Sequence, residues 1–250
     1  MHRTPNAGSL SLNSERQTPN PELRTPNYFP LSLSLDEALS YVQSDSPRRV
    51  FFEGEKIGAV SSYVAGWMAS RGIDVIVLDG ANRFDPYMVS SFARKASISP
   101  EILLKRIRIA RAFTCYQMAT LMGEKLIELF RQESAITQTQ KPWVILLGPI
   151  TTFLDEDVPE REVRPLLERS LGKVEILADE GVSFFLFQDM IPAHSKRAYL
   201  MKRLFQFSTL VWKIHLDDEG PKVTLEKEPT GFQIAINQFP YSLLPLEGGG

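Results

Sequence analysis

The stretch that most constrains the fold is residues 49–62, which read RVFFEGEKIGAVSS. Three apolar residues at 50–52 predict a buried strand, and Gly54 predicts a turn directly after it. A helix is expected over residues 60–70, with Gly72 as the glycine that ends it. Strand, turn and helix in this order form the opening unit of an α/β fold.

The rest of the chain continues this alternation. Apolar runs predict further strands at 74–79, 143–147 and 182–187, and Ile107, Ile109 and Phe113, with arginines interleaved, mark another. Intervening helices are predicted at 86–95, from Thr114 onward and at 163–178. Alternating segments at 209–215 and 222–228, joined by Asp-Asp-Glu-Gly, predict an antiparallel hairpin, and 232–236 a last antiparallel strand. The expected class is α/β, with a mainly parallel central sheet, flanking helices and a C-terminal antiparallel hairpin.

The 250 residues allow one large domain with a tail. We divide the chain into a disordered arm rich in Pro, Ser, Thr and Asn at 1–45, a core domain at 46–240 and a flexible tail at 241–250. The arm repeats Thr-Pro-Asn three times and offers little apolar surface to offset ordering. Its leucines at 31, 33 and 35 alternate with serines, a pattern that can add a strand to a neighbouring subunit's sheet.

Composition excludes several functional classes. Cys115 is the single cysteine, so an intrachain disulfide and a multi-cysteine metal site are excluded, and the three histidines lack ligand spacing. The formal net charge of −2 gives no global field for nucleic acid. There is no 18-residue apolar run and no signal peptide pattern. We expect no metal, no membrane partner and a cytoplasmic or nucleoid-associated location.

The phosphate-binding pattern G-x-x-x-x-G-K-[ST] can be laid over Gly54 to Ser61. The pattern requires a glycine that lets backbone N–H groups wrap a phosphate and a lysine that neutralises it. Ala59 and Val60 occupy those two positions. The stretch therefore predicts a nucleotide-binding fold that has lost its nucleotide chemistry.

An ordered set of motifs resembles the ATPase core of the RecA/RadA recombinase family over residues 46–240. Gly54-Glu55 resembles the start of the family's phosphate loop, and IRIARAFTCYQM at 107–118 is similar to a recombinase segment that reads approximately IYVARAFNSNHQ. Three further segments fit in order. LDGANRFDP lies at 78–86, and VILLGPITTF at 144–153 occupies the family's Walker B position. FFLFQD at 184–189 fits the strand that ends in the family's Asn-Gln pair.

The departures from this resemblance fall on its charged positions. The resemblance places Val60 at the phosphate-loop lysine, Ala81 at the water-activating acid and Gly148 at the Mg²⁺-positioning aspartate. Phe187 replaces the asparagine of the Asn-Gln pair, while Gln188 remains. Because phosphoryl transfer depends on such groups, we expect no catalytic residues and no cofactor.

One acidic residue remains as a candidate for the nucleotide site. Asp79 ends a predicted parallel strand, where a carboxylate can face the site and serve as a metal ligand or base.

A loop after the fifth core strand carries the candidate DNA contacts, because the resembled family has its second DNA-binding loop there. These residues are His194, Lys196, Arg197, Tyr199, Lys202 and Arg203. Cations can contact phosphates, and a tyrosine can stack on a base. The alternative is a loop that caps the sheet. Asp155, Glu156 and Asp157 instead repel a phosphate backbone, so their segment is expected to face a protein or solvent.

Three functional hypotheses follow. The first is a non-catalytic accessory or scaffold protein in DNA recombination or repair, which assembles with itself or a RecA-like partner and can contact single-stranded DNA. The second is an atypical ATPase that binds ATP and Mg²⁺ with a lysine from elsewhere, such as Lys56. The third is a protein-binding regulator of cell division or signalling on the same fold.

Overall fold

A computed structural model describes residues 32–43, 49–134, 141–217 and 220–227 of the chain. Within these ranges, eight strands form one sheet, in the spatial order β1-β8-β7-β2-β6-β5-β3-β4. Their bounds are β1 Ser32–Ser34, β2 Arg49–Gly54, β3 Val75–Asp79, β4 Ile107–Arg111, β5 Trp143–Leu147, β6 Phe184–Asp189, β7 Leu210–Asp217 and β8 Gly220–Lys227. Neighbouring strands from β2 to β7 are parallel, and β8 is antiparallel to both β7 and β1.

Helices cover both faces of the sheet. They are α1 Leu35–Gln43, α2 Ile57–Ser70, α3 Pro86–Lys95, α4 Pro100–Leu104, α5 Cys115–Thr120, α6 Leu126–Ser134, α7 Glu160–Asp179 and α8 Tyr199–Phe207. A π-helical turn, Leu121–Lys125, connects α5 to α6, and a 3-10 turn, Thr151–Leu154, follows β5. The expected α/β class is confirmed, with a mostly parallel sheet and the antiparallel hairpin near the C-terminal end.

Successive strand residues divide between two apolar layers, as the two-residue period of a strand requires. Phe52, Phe187 and Trp212 pack in the layer formed with α1 to α3. Phe51 and Leu186 pack in the opposite layer, with α5 to α8. Phe52 and Phe187 stack with ring centroids 4.9 Å apart. Burial of both faces explains the continuous apolar runs of the central strands.

The segment at residues 32–43 belongs to the folded domain, which corrects the expected arm boundary at residue 45. β1 pairs with β8 of the same chain, so the serine-leucine segment extends its own sheet and not a neighbour's. Leu35 and Leu39 of α1 are buried. The Tyr63 hydroxyl donates to Asp36 at 2.9 Å, which ties α1 to α2. Residues 1–31, the predicted strand at 232–236 and the tail at 241–250 lie outside the described residues.

Local signals placed several element ends correctly. Gly72 follows α2 with φ of 80°, as a helix-ending glycine does. The Thr114 hydroxyl accepts the Gln117 N–H at 3.2 Å and starts α5. Pro165 lies inside α7 without ending it.

In the described part of the chain, no helix has the length and apolar character needed to span a membrane.

Candidate functional site

The carboxyl ends of β2, β6, β5 and β3 lie on one side of the sheet, which we call the carboxyl edge. Parallel α/β sheets bind ligands at this position. The Gly80 and Ala81 N–H groups both donate to the Leu147 carbonyl, at 2.8 and 3.2 Å. The Gly148 N–H donates to the Phe187 carbonyl at 2.7 Å. The fold thus brings together the positions that the resemblance assigned to a nucleotide site: Gly54, Glu55, Ala59, Val60, Ser61, Asp79, Ala81, Gly148 and Gln188.

The connection from β2 to α2 is only two residues long, Glu55 and Lys56. The helix was predicted to begin at Val60, but it begins at Ile57, so the positions of the phosphate-loop lysine and serine lie inside it. The Val60 N–H donates to the Lys56 carbonyl at 3.1 Å, and the Val60 side chain is 4% exposed. Ser61 is fully buried, and its hydroxyl donates to the Gly58 carbonyl at 3.0 Å. The Val60 N–H and the Ser61 hydroxyl are therefore used within the helix.

The loop after β3 closes on the first turn of α2. A Cβ atom on Gly58 would lie 2.5 Å from the carbonyl oxygen of Arg83 and 2.8 Å from its Cβ. The Ser62 hydroxyl accepts the Asp85 N–H at 2.9 Å, which fixes this loop on the helix. Gly54 is equally confined, because its Cβ would lie 2.6 Å from the Ile214 carbonyl oxygen. Protein atoms thus pack directly against Gly54 and Gly58.

Gly148, at the Walker B position, is enclosed by its neighbours. A Cβ there would lie 2.6 Å from both the Ala81 Cβ and the Thr151 hydroxyl, and φ of Gly148 is 63°. The small residues at 81 and 148 therefore allow the ends of β3 and β5 to approach each other. The same packing leaves no room for a carboxylate at position 148.

Asp79 has a structural role, which differs from the metal or base role considered for it. Its carboxylate is fully buried and accepts the N–H groups of Arg83 and Phe84 at 3.2 and 3.0 Å. The Arg111 Nε lies 3.5 Å from the same carboxylate. Both oxygens thus hold the loop after β3 in place.

Gln188 is 2% exposed and links β6 to the turn after β5. Its Oε1 accepts the Ile150 N–H at 3.3 Å, and its Nε2 donates to the Thr151 hydroxyl at 3.3 Å. Phe187, at the position of the family's asparagine, instead stacks on Phe52 in the core. The amide therefore orients the turn at residues 151–154.

An ion pair crosses this edge of the sheet. The Arg83 guanidinium lies 2.6 Å from the Asp189 carboxylate, which ends β6. Partial burial raises the pKa of Asp189, while Arg83 opposes that rise. The pair joins the loop after β3 to the chain that leaves β6.

A pocket of about 480 Å³ opens beside this pair, between the 3-10 turn and the chain after β6. Its polar lining includes Glu156, Gln188, Asp189, His194 and Lys196. Its apolar lining comes from Leu154, Met190, Ile191 and Pro192.

Arg197, a candidate DNA contact, is instead a buried structural residue, because its side chain is only 7% exposed. Its guanidinium donates to the carbonyls of Phe153 at 2.7 Å, Asp155 and Val158 at 2.5 Å. The Glu160 carboxylate lies 3.3 Å from its Nε. One side chain thus holds the chain between β5 and α7, and it has no face free for a phosphate.

Two more of the candidate DNA residues are also engaged. Tyr199 packs against the α5–α8 layer, and burial, together with the nearby Glu160, raises its pKa to about 12. Arg203 donates to both carboxylate oxygens of Glu168, at 2.8 and 2.9 Å. Tyr199 and Arg203 are thus engaged within the chain, and their assignment as DNA contacts stays a prediction.

The remaining three candidates are exposed: His194, Lys196 and Lys202. Their side chains have no ion pair or hydrogen bond to the residues that the structure describes. His194 and Lys196 lie at the pocket, whereas Lys202 lies on α8. Three of the six candidates are thus exposed, and the other three are engaged in contacts within the chain.

Two residues of the site were missed in the sequence. Gly58 had a signal, because an isolated glycine inside an apolar helical pattern indicates close packing. Arg83 had none, since its partners Gly58 and Asp189 come from distant segments.

Among the described residues, no group of three or more His, Cys, Asp or Glu side chains could hold a metal ion. Comparison with protein-family models and with curated proteins finds no match to this chain.

Proposed function

We propose that this protein is a non-catalytic RecA-like accessory or scaffold protein in DNA recombination or repair, which assembles with itself or with a RecA-like partner. The observation that carries the proposal is the contact between Arg83 and Gly58, which packs the loop after β3 against the first turn of α2. The strand–turn–helix pattern persists there, with this loop closed on the helix.

The hydrogen bonds of α2 support the same proposal. A phosphate loop binds through free backbone N–H groups and a lysine. Here the N–H of Val60 is bonded within the helix, its side chain is apolar and the Ser61 hydroxyl is buried. Lys56, which the atypical-ATPase hypothesis uses in place of the lysine missing at Val60, is exposed in the turn that precedes α2.

The chemistry of the neighbouring strand ends adds a second argument. Phosphoryl transfer is accelerated by positioned charges, and electrostatic stabilisers contribute roughly 3–4 kcal/mol each. Ala81 and Gly148 carry no charge, and the nearby acids Asp79 and Asp189 are engaged with the loop after β3. A scaffold role requires none of these charges.

Isothermal titration with Mg-ATP tests the proposal, with an active RecA-like ATPase as the positive control. We expect no binding at micromolar concentrations and no phosphate release from the pure protein. Micromolar affinity, or steady phosphate release, would replace the scaffold proposal with the atypical ATPase. A Lys56→Ala variant then tests whether that lysine serves the site.

The substitution Val60→Lys provides a second test. Because Val60 is buried, a lysine there is expected to destabilise the protein without restoring hydrolysis. Rapid ATP hydrolysis by this variant would show that the water-activating and Mg²⁺-positioning acids have been assigned to the wrong residues.

A further inference from the structure

We propose that the pocket between the 3-10 turn and the chain after β6 is a docking site for a partner polypeptide that carries a large apolar side chain flanked by Lys or Arg. This inference rests on the proposed scaffold function and identifies the chemistry of the segment that the scaffold binds.

The apolar anchor is inferred from the pocket walls. Leu154, Ile191 and Pro192 supply apolar surface, and Met190 is 54% exposed at the pocket. Methionine adapts its shape to a partner and is frequent at peptide-binding surfaces. A volume of about 480 Å³ falls within the approximate 300–1,000 Å³ range of ligand pockets. It is large enough for one bulky apolar side chain with some adjoining backbone.

The flanking cations are inferred from the segment at residues 155–162, which we call the acidic segment. All five of its carboxylate side chains are exposed, and Glu156 lines the pocket. Arg161 lies within the segment, and Arg197 pairs with Glu160, so two cations oppose the five acids. The acids are Asp155, Glu156, Asp157, Glu160 and Glu162. Charge complementarity therefore favours a cationic partner segment.

The acidic segment is held rigidly, which favours binding. The buried Arg197 binds the carbonyls of Phe153, Asp155 and Val158. The Tyr116 hydroxyl donates to Glu162 at 2.6 Å. A surface ordered in advance loses less conformational entropy when a partner binds. Arg197 thus shapes the docking site although it is not free to contact the partner.

The same electrostatics disfavour single-stranded DNA as the occupant. Among the described residues that line the pocket, Lys196 is the only lysine or arginine, and the nearby Arg83 is paired with Asp189. A phosphate backbone passing the pocket would meet the carboxylates of the acidic segment.

The test uses the full chain and a phage library of random 12-residue peptides. We expect the selected peptides to share one large apolar residue with Lys or Arg nearby. A fluorescein-labelled peptide of that consensus is then titrated with the wild type, Met190→Asp and Glu156→Lys. Each variant is expected to weaken binding by about tenfold, because anchors and their charged neighbours dominate such interfaces.

Matched controls separate the site from general surface effects. Ile176 is 50% exposed on α7, so Ile176→Asp matches Met190→Asp, and Glu180→Lys, at the far end of α7, matches Glu156→Lys. Both controls should bind within about twofold of the wild type. Thermal unfolding of all four variants checks that each is folded.

Three outcomes overturn the inference: no shared consensus, a consensus rich in Asp and Glu, or equal loss of binding in the controls. Binding of a labelled single-stranded 30-nucleotide DNA that is lost in Lys196→Ala would assign the pocket to nucleic acid instead. Micromolar Mg-ATP binding would refute the scaffold function but leave a peptide consensus standing, so the two failures are distinguishable.

Discussion

The carbonyl oxygen of Arg83 lies 2.5 Å from the position that a Cβ atom would take on Gly58. This approach is possible only because residue 58 has no side chain. It holds the loop after β3 against the first turn of α2.

The substitution Gly58→Ala is therefore expected to destabilise the protein by about 1–3 kcal/mol or more, because the added methyl group meets backbone atoms. The matched control is Gly172→Ala in α7, where a Cβ would have no heavy atom within 4 Å. Alanine is favoured over glycine in a helix by about 1 kcal/mol, so the control should be more stable than the wild type. Urea unfolding measures both. Equal stability of the two variants would contradict the contact.

Replacing Arg197 with alanine is expected to lower the free energy of unfolding by about 3 kcal/mol or more. The change leaves three carbonyl groups between β5 and α7 without their donor, and each unsatisfied group costs about 1–3 kcal/mol where it is buried. Lys196→Ala, at the exposed neighbouring position, should change stability by less than about 0.5 kcal/mol. Hydrogen exchange should also become faster across residues 153–163 in Arg197→Ala. Similar effects from the two substitutions would refute the structural role of Arg197.

Two truncations test where the folded domain begins. Deleting residues 1–28 should leave the thermal midpoint nearly unchanged, because that sequence has almost no core-forming pattern. Deleting residues 1–43 removes β1 and the buried side chains Leu35, Leu39 and Val42. Each such side chain contributes roughly 1.5–3 kcal/mol, so the longer deletion should lower the midpoint sharply. A large effect of the shorter deletion would instead place docked structure in the arm.

The substitution Asp36→Asn is expected to change how stability depends on pH. Burial raises the pKa of Asp36, although its hydrogen bond with Tyr63 opposes the rise. The folded state therefore keeps its proton at pH values where the unfolded state has lost it. The contribution of the Asp36 carboxyl to the free energy of unfolding is greatest below the ordinary aspartate pKa and falls as pH rises through the raised pKa.

Chemical denaturation between about pH 4 and pH 7 measures the effect, since an ordinary aspartate titrates near pH 4. The wild type should lose stability relative to Asp36→Asn as pH rises, because asparagine keeps an acceptor for Tyr63 without a charge. Glu37, which is exposed on the same helix, provides the control as Glu37→Gln. A constant difference between wild type and Asp36→Asn across this range would contradict the raised pKa.

The sequence by itself determined most of the sheet and helices. The apolar run at 143–147 and the proline-started helix at 86–95 have the predicted bounds in the structure. The hairpin of β7 and β8 follows from its alternation and its turn residues. These features depend on local periodicity and on turn or cap residues, which are visible within a few neighbouring positions.

Only the tertiary structure decided the roles of the charged and small residues at the carboxyl edge. Arg197, Arg203 and Asp79 looked like site residues, but their partners, from other parts of the chain, hold them in structural contacts. β1 likewise joined its own sheet because β8 offered an edge more than 180 positions away. A side chain's charge can be read from the sequence, but its partner cannot, because burial and long-range packing determine which groups meet.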